Sequence, residues 1–177
     1  MRIGILTISD LGAVGQRADT SGDAILDWAA QRGYEVVVRS AVADETDRIA
    51  GKLARWADSG EVDVVLTTGG TGLTHRDVTP EATAAILERE APGIAEALRA
   101  ASGPTFPRAW LSRGRAGTRG KTLIVNLPGS TGGVEDGLEV LAPFLDHAVE
   151  LITGANTTHD APRPSGSPLG RTTHSDG

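Results

Sequence analysis

Residues 62–82 read VDVVLTTGGTGLTHRDVTPEA, and this stretch decides the fold. Val62–Thr68 (VDVVLTT) is a β-branched run of strand length. It passes into a loop holding Gly69, Gly70 and Gly72, and then into Thr79-Pro80-Glu81. Thr79 suits a helix N-cap and Pro80 the first helical position, where its missing N–H costs nothing. Strand, glycine loop, helix is one unit of a parallel α/β sheet.

The same alternation extends in both directions. Ile3–Ser9 (IGILTIS) is a second strand pattern, and a buried one. Ser21–Arg32 carries Ala24, Ile25, Trp28 and Ala29 at helical spacing, with Thr20 or Ser21 as N-cap and Gly33 just past the end. Tyr34–Val42 reads as a strand and about Asp47–Ala57 as a helix. Beyond the central unit come a helix over Gly93–Ala101, a strand over Thr122–Asn126, and a helical stretch Val134–Ile152 bent or split at Pro143. Pro104–Gly120 is irregular, with a short strand expected near Ala109–Ser112. Trp28 and Trp56 are expected in the core; Trp110 fits either core or interface.

Composition narrows the class. The chain has 177 residues, the size of one domain, and no cysteine, which excludes disulfides, thiolate metal sites and a cysteine nucleophile. Net charge is −6 and aromatics are 3%, which argues against nucleic acid or an acidic membrane as partner. No run of 18 apolar residues and no signal-like leader occur, so the expectation is a cytoplasmic protein with no membrane span. Residues 155–177 are rich in Pro, Ser, Thr, Gly and His with almost no large apolar side chain, and are expected to be a disordered tail. The expected functional unit is 1–154.

Polar and glycine-rich clusters follow four of the strand patterns: Ser9-Asp10, Asp44-Glu45, Gly69–Gly72 with Asp77, and Asn126–Ser130. In a parallel sheet these ends share one edge, where ligands bind and helix N-termini point. Three glycines with threonine hydroxyls leave backbone N–H groups open to an anion. Singly, Asp10 and Asp44 read as turn formers and Asp77 as an aid to the next helix's N-terminus; together they point to a metal-bound phosphate. His75 reads as a solvated loop residue, and Arg76, Arg113 and Arg115 as possible phosphate partners. The phosphate-loop motif G-x-x-x-x-G-K-[ST] is absent, and SDLGAVG after the first strand is not a dinucleotide fingerprint, which disfavours nicotinamide chemistry.

TTGGTGLTHRDVTPEA (Thr67–Ala82), with ISD after the first strand, AWLSR at Ala109–Arg113 and NLPGS at Asn126–Ser130, resembles the molybdenum cofactor biosynthesis adenylyltransferases. These are the Mog and MoaB-like proteins, related to the gephyrin G domain. The resemblance runs over about residues 2–154. It implies a three-layer α/β/α domain with a mostly parallel central sheet, assembled as a homotrimer. The implied activity is transfer of AMP from Mg-ATP to the terminal phosphate of molybdopterin, with release of pyrophosphate. The product would pass to a molybdate-inserting protein downstream. It places catalytic roles, and Mg2+ contact, on Asp44 and Asp77. Nucleotide contacts fall on Ser9, Asp10, Gly69, Gly70, Thr71 and Gly72; molybdopterin contacts fall on Ser112, Arg113, Pro128, Gly129 and Ser130. Some MoaB-like relatives only bind or carry molybdopterin, and that alternative stands beside the first. The intact DVTPEA stretch favours the adenylylating branch.

The chemistry agrees with the residues. A phosphate monoester has its second pKa at about 6 and is already largely ionised at neutral pH, so the nucleophile needs no histidine or serine base. The barrier is the approach of two anions, for which carboxylate-held magnesium and backbone amides are suited.

Overall fold

A computed structural model describes residues 1–16 and 18–155 of the chain. Its elements run β1 (Arg2–Ile8), α1 (Asp10–Ala13), α2 (Thr20–Gln31), β2 (Glu35–Val42), α3 (Thr46–Asp58), β3 (Val64–Thr68), α4 (Thr79–Ala84), β4 (Arg89–Glu90), α5 (Pro92–Ser102), a 3-10 turn (Pro107–Leu111), β5 (Ala116–Arg119), β6 (Thr122–Leu127), α6 (Thr131–Leu141) and α7 (Leu145–Thr153). The six strands form one sheet in the order β2-β1-β3-β6-β5-β4. β2, β1, β3 and β6 are mutually parallel, while β5 and β4 add an antiparallel margin.

Strand alternation sorts the core onto two faces. Ile3 and Ile5, Val64 and Leu66, and Leu123, Val125 and Leu127 point to the side covered by α2, α6 and α7. Leu6 and Ile8, Val65, and Ile124 point the other way, onto α3 and α4. The result is three layers, α/β/α, as the resemblance implies. On α3, Ile49, Leu53 and Trp56 form one buried stripe at helical spacing; each such side chain contributes about 1.5–3 kcal/mol by leaving water. Trp28 and Trp56 are both in the core.

Three details depart from the expectations. The α2 N-cap is Asp19, whose carboxylate accepts the Gly22 N–H at 2.9 Å, not Thr20 or Ser21. Thr79 does not cap α4; its hydroxyl donates instead to the Gly69 carbonyl at 2.9 Å, while Val78 occupies the cap position. No strand forms at Ala109–Ser112. There the chain turns through a 3-10 helix opened by Pro107, and the Trp110 ring lies over Gly103, where any Cβ would collide with the indole. Trp110 is more than half exposed and so is not a core residue. The strand of this region is β5, further on. The long helical stretch is divided at Pro143 into α6 and α7. The expected tail lies outside the described residues except for Ala155, whose N–H bonds to the Glu150 carbonyl. Among the described residues no helix is long and apolar enough to cross a membrane.

Candidate active site

The parallel strands β1, β2, β3 and β6 end at one edge of the sheet, so Ser9-Asp10, Asp44, Gly69–Gly72 and Pro128–Ser130 are neighbours in space. Ser9 caps α1, accepting the Gly12 N–H at 3.1 Å. Asp10 and Asp44 are joined reciprocally: the Asp10 amide donates to Asp44 Oδ2 and the Asp44 amide to Asp10 Oδ1, each at 3.0 Å. Two carboxylates are thereby held side by side, each stabilised by the other residue's backbone. Arg76 reaches from the glycine loop to Asp10 Oδ2.

This arrangement separates the two acids. The Asp44 amide and the Arg76 guanidinium hold the Asp10 carboxyl below its ordinary range. Asp44 is half-buried, and among the described residues it forms no ion pair. Burial raises its carboxyl above the ordinary range; the Asp10 amide and the Arg76 charge offset part of this, and the Asp10 and Asp77 charges add to it. A half-buried carboxylate without its own cation is a site that a bound cation would relieve.

The glycine loop has its own scaffold. Gly69 (φ +98°) and Gly70 (φ +63°) take backbone angles that side chains resist. Gly129 lets the second loop come close, since a Cβ on it would lie 3.2 Å from the Gly69 Cα. Thr68 Oγ1 donates to the Pro128 carbonyl at 2.6 Å, tying the loops after β3 and β6 together. Asn126, buried at the end of β6, donates to the hydroxyls of Thr67 and Thr83 at 3.0 Å each and accepts the Arg115 N–H. Asp77 does not cap α4. Its Oδ2 accepts the Thr74 N–H at 2.8 Å and the Thr74 hydroxyl at 2.6 Å, closing the loop on itself. Burial pushes the Asp77 carboxyl up, but the Thr74 donors, the Gly72 amide and the Arg113 charge outweigh it and leave Asp77 below its ordinary range.

A cleft of about 610 Å³ opens beside this loop. Gly70, Thr71, Gly72 and Asp77 form one wall, and Ser112, Pro128, Gly129 and Ser130 another. Ser130 is the N-cap of α6, its hydroxyl accepting the Gly133 N–H at 3.3 Å, so an eleven-residue helix points its N-terminus toward the cleft. Ser9, Asp10, Asp44 and Gly69 are not on the cleft wall; they lie behind Gly70, where a Cβ would be 3.2 Å from Asp44 Oδ1. Arg113 is not on that wall either. Its Nε donates to the Gly72 carbonyl at 2.7 Å, one terminal nitrogen to the Asp77 carbonyl at 2.5 Å and the other to Glu81, while its amide donates to the Thr71 carbonyl. It braces the glycine loop from behind. His75 is exposed.

The sequence reading missed the outer wall. Ala95, Leu98, Arg99 and Ser102 on α5, and Phe106, Arg108 and Leu111 in and before the 3-10 turn, all face the cleft. The available signal was the i, i+3, i+4, i+7 spacing on α5, which marks one helix face; nothing marked the turn.

The sequence family described as "Probable molybdopterin binding domain" matches residues 4–147. This chain belongs to that family. It is 39% identical over 161 residues to a protein named molybdopterin adenylyltransferase from Helicobacter pylori strain J99, covering 87% of this chain and 89% of that one. It is 40% identical over 147 residues to the molybdenum cofactor biosynthesis protein B of Escherichia coli K12, covering 82% and 85%. Among solved structures, the molybdopterin biosynthesis enzyme MoaB from Thermus thermophilus superposes with a TM-score of 0.81 at 50% identity, over 86% of this chain and 96% of that one. The matched region of the molybdopterin binding domain contains every strand of the sheet from within β1 through β6, and both glycine loops.

Proposed function

We propose that this chain is a molybdopterin adenylyltransferase of molybdenum cofactor biosynthesis, with 1–154 as its working unit. An oxygen of the terminal phosphate of molybdopterin attacks the α-phosphorus of ATP; the bond from that phosphorus to the bridging oxygen of the β-phosphate breaks, and pyrophosphate leaves. The observation that carries this reading is the join, across one loop, of a carboxylate pair suited to a cation and a cleft suited to an anion. Asp10 and Asp44 stand behind Gly70, and the cleft walled by Asp77, Ser112 and Pro128–Ser130 opens in front of it. The relatives named as adenylyltransferases align along nearly the whole domain, which supports the same reading.

In this assignment Ser9, Asp10 and Gly69–Gly72 serve the nucleotide, and Ser112 and Pro128–Ser130 the molybdopterin. Asp44 and Asp77 are the catalytic carboxylates. Among the described residues no group of three or more His, Asp or Glu side chains could cage a metal. Asp10 is also engaged by Arg76, so the three aspartates do not act as one metal cluster. The donors do fit magnesium that arrives with a polyphosphate, because that ion keeps several waters and takes only one or two protein carboxylates. Asp44, raised by burial and with Oδ1 free of hydrogen bonds among the described residues, and Asp77 would hold it. Bound there, magnesium would neutralise phosphate charge between two anionic reactants. The chain's own part is to fix the loop amides, exclude bulk through the Gly69–Gly129 approach, and orient the attacking phosphate at the α6 N-terminus.

The proposal extends to a homotrimer in the cytoplasm that hands its product to a molybdate-inserting protein. The exposed apolar side chains Leu11, Leu73, Phe106, Trp110 and Leu111 are compatible with assembly, which sedimentation would test. The direct test combines protein, ATP, magnesium and molybdopterin. Pyrophosphate and adenylylated molybdopterin should form in equal amounts, with neither formed when molybdopterin is left out. Molybdopterin binding without pyrophosphate release would replace the proposal with a carrier role.

A further inference from the structure

Three arginines lie in or beside the sequence motifs, and each is already engaged by a carboxylate. Arg76 is paired with Asp10, Arg113 with Glu81 and Arg115 with Glu90. The cleft wall instead carries Arg99 and Arg108. Among the described residues neither forms an ion pair. Arg99 touches only the Ser112 and Gly114 carbonyls, both through one terminal nitrogen at 3.3 Å, so most of its donor fork is unused. Arg108 is exposed. Asp136, a carboxylate on the same cleft, meets Ser102 and neither arginine.

Two guanidinium groups that line one concave site without an ion pair among the described residues offer charge to an anion. The two arginines stand on α5 and the 3-10 turn, facing the Pro128–Ser130 loop and the α6 N-terminus. The reciprocal Asp10–Asp44 pair lies off this cleft. The guanidinium fork suits a phosphate, and the opposed helix N-terminus adds partial positive charge of the same sign.

We propose that Arg99 and Arg108 bind the phosphate monoester of the pterin substrate, and that Arg113 is a positioning residue which braces the glycine loop. The naming of the pterin rests on the adenylyltransferase reading; the phosphate chemistry does not. The test titrates the full chain by calorimetry with molybdopterin, with Mg-ATP and with inorganic phosphate. It compares wild type with Arg108→Gln, Arg108→Lys, Arg99→Gln and Arg99→Lys. A charge-assisted hydrogen bond corresponds to a change of about tenfold to a hundredfold when it is desolvated, and to less at an exposed position. Arg99→Gln should therefore weaken molybdopterin and inorganic phosphate by about tenfold or more, and Arg108→Gln by about threefold or more. Mg-ATP should stay within about twofold of wild type. Lysine should restore part of each loss, and the losses should shrink in high salt. Among the described residues the Arg108 side chain makes no hydrogen bond that its loss would break, so its variants keep the result readable if Arg99→Gln loosens the Ser112–Gly114 wall.

Unchanged molybdopterin affinity in both glutamine variants overturns the proposal. So does a loss confined to Mg-ATP, which would assign the arginines to the nucleotide. If wild type binds no molybdopterin but loses phosphate affinity on substitution, the phosphate site stands and the adenylyltransferase reading falls.

Discussion

Gly69→Ala isolates the part of the backbone on which the proposed site depends. At φ +98° an L-residue incurs at least the ~1–2 kcal/mol of a left-handed conformation. The new Cβ would also sit well under 3.0 Å from the Ile8 carbonyl oxygen. That carbonyl belongs to β1, which is paired on both sides by β2 and β3 and cannot swing aside as a flexible side chain would. Overpacking against such a wall adds about 1–3 kcal/mol, so the whole cost is about 2–5 kcal/mol. For a chain of this size each kcal/mol lowers Tm by about 2–4 °C, which gives a fall of about 4–20 °C. Gly60→Ala is the control, because φ is +71° and no atom lies within 4 Å of the added carbon, leaving only the ~1–2 kcal/mol conformational part. Circular dichroism melts of both variants, with pyrophosphate release measured below both transitions, make the comparison. Gly69→Ala should lose activity even while folded, because relief of the clash shifts Ser9-Asp10. Equal melting points and wild-type turnover in both variants would refute the reasoning.

Asp44→Asn should abolish turnover yet melt no lower than wild type at neutral pH. A carboxyl whose pKa is raised by folding adds stability only while protonated and loses it as pH rises through that pKa, so the neutral amide removes a burden. The gap between the two melting points should close as pH falls through the raised Asp44 pKa, and a variant markedly less stable at neutral pH would contradict the assignment. Arg113→Gln gives up bonds to the Gly72 and Asp77 carbonyls and to Glu81, and should cost about 2 kcal/mol in chemical denaturation together with a raised KM for ATP. Asn126→Ala leaves the Thr67 and Thr83 hydroxyls and the Arg115 N–H short of partners in a buried setting; a loss of about 3 kcal/mol is expected, and one below about 1 kcal/mol would mean that water takes its place.

The legible parts of this fold are those whose causes are local. β1, β3 and β6 are continuous apolar runs, and α2, α3 and α5 carry apolar stripes between capping or breaking residues, so their ends fall within a residue or two of the spacing. The α2 cap slipped because Asp19, Thr20 and Ser21 are all competent caps in succession. β5 was invisible because Thr118 is the one strand-favouring residue in Ala116-Gly117-Thr118-Arg119. It is a strand because Thr118 sits opposite Leu123 across a tight turn. β4 is two residues long and exists only through β5. The meeting of Asp10, Asp44, the glycine loop and Pro128–Ser130 followed from parallel strands sharing a carboxyl edge. Which arginine faces ligand and which braces backbone did not follow, because Arg113 is committed by carbonyls that come close only after folding. Arg99 and Arg108 acquire their place from α5 and a turn whose path Pro107 and Gly103 set.

The most direct trial of the central claim follows the α-phosphorus. With ATP labelled at that atom, magnesium and molybdopterin, wild-type protein should move the label onto the pterin, and Asp44→Asn and Asp77→Asn should each slow the transfer by about a hundredfold or more. Label that never reaches molybdopterin with wild type, or reaches it at the wild-type rate in both variants, contradicts the account.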